Sequence, residues 1–168
     1  MYLREIGRVV LLSAEDERRL ARKMEEGAFL AVIEECLGKG VRDDFSAMDV
    51  ARYLYESIFE DQAILRILAG LVGAPSNATI AQVIQHHSIR ALIDLEVDQE
   101  VVGRVSAAMR IANAAAESRL VRFSVNTRLL PPEIMAHLNG TLGDGLPCWT
   151  ELCQKVKDKE GLIAWRFE

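Results

Sequence analysis

Apolar residues recur at three- and four-residue steps through most of the chain, and runs that alternate apolar with polar are scarce. That period predicts helices. The clearest start is Ser13, followed by Ala14-Glu15-Asp16-Glu17. A hydroxyl N-cap with an acid three residues on is a capping box with Asp16 in the usual Glu/Gln place, and three acids in the first turn suit the positive end of the helix dipole. Beyond it, Leu20, Ala21 and Met24 form an expected inner stripe, with Arg18, Arg19, Arg22 and Lys23 on the outer, solvated face. Gly27 can end or bend the helix, and Phe29, Leu30, Ile33 and Leu37 carry an apolar face on to Gly38.

The rest of the chain reads the same way. Gly38 to Asp44 is a loop, and Ser46 caps a helix that buries Val50, Leu54, Ile58, Ile64, Leu65 and Leu68 before ending near Gly70 or Gly73. Short helices follow over 79–87 and 88–95. From about 98 to 130 there is no proline, and Val101, Val105, Ala108, Ile111, Ala112, Ala115, Leu120 and Phe123 keep the helical step. This is one long amphipathic helix, or two with a kink. The small run Ala112 to Ala116 admits a close neighbour. Pro131-Pro132 breaks the pattern, and Pro132 suits the first turn of a helix reaching Leu138. A glycine-rich loop over 139–147 and a last helix from about Thr150 to Lys159 complete it, ahead of an apolar end over 162–167. The expected fold is all-α: an irregular multi-helix domain of helix pairs with one long amphipathic helix over about 98–130.

Composition agrees with a globular all-α chain: 168 residues, 50% hydrophobic and 27% charged, with 4 prolines. Three cysteines, Cys36, Cys148 and Cys153, are an odd number and suggest free thiols in a reducing compartment. No signal peptide or membrane-length apolar run is present, so the expected location is the cytoplasm. The net charge is −5, and residues 28–97, with five basic and ten acidic groups, carry the whole deficit. An acidic chain does not coat duplex DNA, because non-specific affinity comes from neutralising phosphates, so any nucleic-acid contact has to be local.

Candidate chemistry is sparse. His86-His87, His137 and the Cys148/Cys153 pair lack the spacing of a zinc site, and adjacent histidines on a helix diverge by about 100°. No metal, cofactor or small-molecule substrate is expected. The loop Asn139 to Gly145 lacks the Lys-Ser/Thr of a phosphate-binding loop. No acid–base pair or nucleophile stands out, so no catalytic residue is nominated and the chain is not expected to be an enzyme. Trp149 and Trp165 sit without a basic, aromatic-interleaved patch and read as packing residues.

The N-terminus is different. If residues 1–7 are helical, Leu3 and Gly7 share a face, and the missing side chain of Gly7 leaves an apolar notch beside Leu3. Tyr2 and Ile6 lie on the neighbouring edge, Arg4 faces elsewhere, and Arg8 follows just past the helix end. An apolar platform flanked by two guanidinium groups suits a few exposed bases and their phosphates. The plainer alternative is that Tyr2, Ile6, Val9, Leu11 and Leu12 fold onto the helix that Ser13 starts.

Residues 1–17, MYLREIGRVVLLSAEDE, and 20–27, LARKMEEG, closely resemble region 1.2 of the primary (housekeeping) sigma factors of bacterial RNA polymerase. The correspondence is ungapped over 27 residues. It departs at Val10, where the family often has proline, which leaves the turn less rigid. The resemblance implies contact with the single-stranded non-template discriminator just downstream of the −10 element. Tyr2, Leu3 and Arg4 would be the DNA-binding neighbours of base and phosphate, supported by Gly7 and Arg8. It implies two partners, the polymerase core and promoter DNA at that discriminator, with no membrane. The string from Glu117 to Leu130 is similar to a core-binding helix of region 2, but Pro131-Pro132 end it where that helix should continue, and no Trp-Trp capture residues follow. Residues 28–168 are therefore expected to be the non-conserved helical insert of such factors, packed with the region 1.2-like segment 1–27 as one compact domain and offering a surface toward the polymerase. The stretch from Glu117 to Trp149 resembles part of that insert, whereas residues 28–97 match nothing. The abrupt ends at Met1 and Glu168 are expected of a piece of a longer factor. The rival reading is a stand-alone helical protein-interaction module, or a regulator that mimics a sigma segment.

Overall fold

Short polar side chains start the helices where the pattern places them. The computed structural model describes residues 12–38, 46–94 and 97–156. Among these, the helices are α1 (Ala14–Gly38), α2 (Ala47–Glu60), α3 (Gln62–Leu71), α4 (Ile80–Gln85), α5 (His87–Ile93), α6 (Gln99–Met109), α7 (Asn113–Leu129), α8 (Pro132–Met135) and α9 (Trp149–Val156). Ser46 and Asp49 close a full capping box on α2, and Thr79 with Gln82 does the same on α4. The described residues form no strand; a single antiparallel bridge joins Thr79 to Thr141. The fold is all-α, as expected.

One break departs from the sequence pattern, and a second decides between its two readings of 98–130. The stretch 47–71 is two helices, not one, interrupted at Asp61. The Asp61 carboxylate is wholly buried and takes Arg119 Nη1 at 3.0 Å and Arg122 Nη2 at 2.7 Å. The stretch 98–130 is likewise α6 and α7, broken at Arg110, whose left-handed backbone (φ 56°, ψ 45°) caps α6. The break resets the helical phase. Ala108, Ala112 and Ala115 therefore face solvent, while Ala116 is fully buried. The close approach expected of the alanine run falls on that one residue.

The second of these helices, α7, is the axis of the molecule. It packs against α1, α2, α5 and α6. From Phe123 to Thr127 every residue is buried, so polar side chains lie inside and must be paired. Asn126 donates to Ser57 Oγ at 2.8 Å, and the Thr127 hydroxyl, 2.8 Å from the Phe123 carbonyl, lies within reach of two carbonyls of its own helix. Around α7 the core comprises Leu54, Ile58, Ile64, Leu68, Ile89, Val105 and Leu120, all without exposed surface.

The C-terminal part closes the other side. The helix begun at Pro132 ends at Met135, short of the expected Leu138, and the 139–147 loop follows. That loop lies against α4: Ile80 N–H donates to the Gly140 carbonyl and Ala81 N–H to that of Leu138. Gly145 sits at φ 75°, a left-handed backbone that a side chain would strain, so the turn favours glycine. The Tyr55 hydroxyl donates to the Pro147 carbonyl at 2.6 Å, and its ring meets Trp149 at 5.6 Å, the packing role expected of that tryptophan. The expected loop at 38–44, the far end of the last helix, Trp165 and the apolar end at 162–167 lie outside the described residues, except Gly38, which is the last residue of α1.

Candidate functional site

The five residues nominated for DNA, Tyr2, Leu3, Arg4, Gly7 and Arg8, lie outside the described residues. What the structure does give is the helix onto which they lead. Ser13 starts α1 as its sequence predicts. Asp16 N–H donates to Ser13 Oγ at 3.2 Å, while Asp16 Oδ2 takes the Ser13 hydroxyl at 2.7 Å and the Ser13 N–H at 3.3 Å. These bonds to the ionised carboxylate, the side-chain one foremost, hold Asp16 below its ordinary pKa. Arg19 adds an exposed contact to Asp16 at 3.2 Å.

Only the second half of the face expected of α1 turns inward. Leu20 is 50% exposed and Met24 69%, and Ala21 is exposed as well. The inner face is set by Phe29, Leu30, Ile33 and Leu37 against α2 and α7. Counting back from Ile33 at about 100° per residue puts Glu26 and Arg22 on that face and Leu20 and Met24 opposite. Arg22 accordingly is half-buried, whereas Arg18, Arg19 and Lys23 stay in solvent as expected. The helix runs through Gly27 without interruption.

Between α1 and α7 lies an ionic clasp. The Arg128 side chain, 13% exposed, reaches across 103 residues to donate to Glu25 Oε2 at 2.7 Å, and its Nε stands 3.0 Å from Glu26 Oε1 as an ion pair. Its remaining arm stands 3.7 Å from Asp94 Oδ1. Asp94, at the end of α5, is held by Arg90, which grips both carboxylate oxygens, and by the Ser124 hydroxyl at 2.6 Å. Arg90 also donates to Thr127 Oγ1 at 2.8 Å. Burial pulls the Arg90 pKa down, and the Asp94 charge opposes that shift. Beside the clasp, Ala28, Phe29, Val32, Val121 and Val125 line an apolar groove of about 440 Å³.

The pairing of these residues carried no signal in the sequence. Arg128 falls within an Asn-x-Arg-Leu-Leu string, Glu25 and Glu26 are ordinary surface acids by pattern, and nothing local links them.

The other candidates resolve simply. His86 is the cap between α4 and α5 and not a helical residue, so its ring stacks on His87 at 4.7 Å; the two do not diverge as helical neighbours would. Among the described residues no group of three or more His, Cys, Asp or Glu side chains is arranged to hold a metal ion. Cys36 and Cys148 are exposed free thiols, and Cys153 is half-buried and in no disulfide. No described helix is long and apolar enough to cross a membrane.

Residues 1–30 match the family described as Sigma-70 factor, region 1.2. No curated protein matches the chain. No solved structure does either. The match ends within α1, four residues past Glu26, so the acidic half of the clasp belongs to the matched segment and Arg128 does not. It supports a relation to the sigma-70 family and, with it, a role in transcription initiation. RNA polymerase and promoter DNA are the partners of such factors in general.

Proposed function

We propose that the chain contributes region 1.2 and a helical insert to a sigma factor of the primary type, acting by binding in the cytoplasm and not by catalysis. In this reading Tyr2, Leu3 and Arg4 meet unpaired non-template bases and phosphates at the discriminator, with Gly7 and Arg8 supporting them. Residues 28–168 pack with the first segment as one unit and present a surface to the polymerase. The observation that carries the reading is the match of residues 1–30 to region 1.2. The capped start of α1 at Ser13 supports it, because a fixed helix end gives the preceding residues a defined base to stand on. The net charge of −5 is compatible with contact to a few bases inside an assembly that already holds the DNA.

Each stacked base is worth roughly 1–3 kcal/mol, so removing one such contact should shorten the open complex about 5- to 160-fold. The test is polymerase holoenzyme assembled with the natural gene product that contains this chain, carrying Leu3→Ala or Arg4→Ala. Open-complex lifetime and discriminator-sequence preference are measured. Loss of preference with a shortened lifetime is expected; wild-type values for both variants would overturn the proposal.

A further inference from the structure

We infer that Arg128 is a positioning residue: it sets the axis of α1 and so the position of the capped start of that helix at Ser13. Ile33 is the one fully buried side chain of α1, helped by half-buried Phe29, Leu30 and Leu37 on neighbouring turns. All of the apolar anchoring therefore lies in the second half of the helix. The first half, from Ala14 to Met24, has no buried residue. A helix anchored at one end can tilt about that anchor, and something else has to choose the angle.

The clasp is placed to do so. Glu25 and Glu26 lie about two turns, or roughly 10 Å, N-terminal of Ile33. They are adjacent in sequence and point about 100° apart around the helix, yet one guanidinium reaches both. The guanidinium donates to Glu25 through Nη2 and stands against Glu26 as an ion pair through Nε, and one planar group held by two divergent charges resists rotation as well as tilt, which a single flexible ammonium does not. The fork itself is fixed. Its stem rises from the buried end of α7, and its third arm faces Asp94, which Arg90 and Ser124 hold in place. The chain of contacts thus runs from α5 and α7 to α1 through charged groups that are mostly sheltered from solvent.

The lever amplifies small changes. A 10° tilt about Ile33 displaces residue 18, fifteen residues away, by about 4 Å, and residue 14 by about 5 Å. Placement on that scale decides whether a side chain reaches a base or misses it. This consequence for DNA rests on the function proposed above; the clasp does not.

Two spin labels measure the axis directly. Cys36, Cys148 and Cys153 are replaced by serine, and labels are placed at Arg18→Cys on α1 and Gly103→Cys on α6, both exposed positions, the latter with open space around its Cβ. Arg128→Met keeps the stem and removes the fork. It is expected to broaden the distance distribution and move its mean by about 4 Å, the displacement of a 10° tilt. Arg128→Lys, retaining the charge and one arm, should return most of the wild-type mean while leaving the distribution broad. Should Arg128→Met not fold, Glu25→Gln with Glu26→Gln removes the partners from the more exposed side and reads the same distance. A folded variant whose distribution superimposes on that of the wild type overturns the inference. The same variants are then carried into holoenzyme: a moved label with unchanged discriminator preference leaves the clasp standing and removes its proposed link to DNA.

Discussion

Asp61 offers the sharpest test of how the helices are held together. Its carboxylate has no exposed surface, and both oxygens are engaged, by Arg119 at 3.0 Å and Arg122 at 2.7 Å. The two arginine side chains are each 39% exposed. Asp61→Ala removes one anion and leaves two cations, close together, at the edge of the core. Breaking a fully buried pair costs about 3–5 kcal/mol, chiefly because an unpaired charge stays buried. Here the orphaned charges can turn toward water, which lowers the cost below that of a fully buried pair, to about 2–4 kcal/mol. For a chain of this length that corresponds to a melting point lower by roughly 4–16 °C. Urea unfolding of the full chain, followed by circular dichroism, gives the free energy, and thermal melts give the midpoint. Arg119→Gln and Arg122→Gln, alone and combined with Asp61→Ala, complete double-mutant cycles that isolate each pair. Replacing all three residues together, Asp61→Leu with Arg119→Met and Arg122→Met, should recover most of the lost stability, since no charge is left without a partner. A loss below about 0.5 kcal/mol for Asp61→Ala, the size of an ordinary surface change, would refute this account of the α2–α3 junction.

The two faces of α1 should differ sharply. Ile33→Ala is expected to cost about 2–5 kcal/mol as a core truncation, whereas Leu20→Ser or Met24→Ser should stay within roughly 0.5 kcal/mol; equal losses in urea unfolding would reverse the assignment of inner and outer face. Tyr55 is pushed above its ordinary pKa, first by burial and then by the neighbouring Cys148 and Glu151 charges. A raised pKa means that the fold favours the neutral phenol, so this contribution is complete below the unfolded value near pH 10 and is lost as pH rises toward the folded one. Tyr55→Phe should cost about 1 kcal/mol at neutral pH through the lost bond to Pro147, and should flatten the alkaline fall in stability; a variant that falls as steeply as the wild type would assign that fall to other groups.

Much of the local structure was legible because its causes are local. The Ser13, Ser46 and Thr79 starts follow from a hydroxyl facing a polar side chain three residues on, a geometry contained in one turn. The burial of Val50, Leu54, Ile58, Ile64, Leu65 and Leu68 follows from period alone. The break at Asp61 was not legible, and for 98–130 the pattern left one helix or two open without placing the break at Arg110. Nothing near Asp61 forbids a continuous helix, and its partners lie about 60 residues away. The break at Arg110 needs a left-handed arginine, a conformation that short-range preference disfavours and that only the packing of α6 beside α7 supports. The candidate site divides in the same way. The region 1.2 match was visible as a string of residues, while the clasp that joins it to the rest of the chain was not.

Helix α1 states the division most plainly. Its sequence determines a capped helix with two apolar stripes, one through Leu20 and Met24 and one through Phe29 and Ile33, each compatible with the helical period. Amphipathic spacing says which residues share a face, but not which face finds a partner. That choice is made by α2 and α7, which cover Ile33, and by Arg128, which pairs with Glu25 and Glu26. Once those contacts form, the stripe of Leu20 and Met24 is turned to the outside, because a straight helix cannot present opposite sides to the same core.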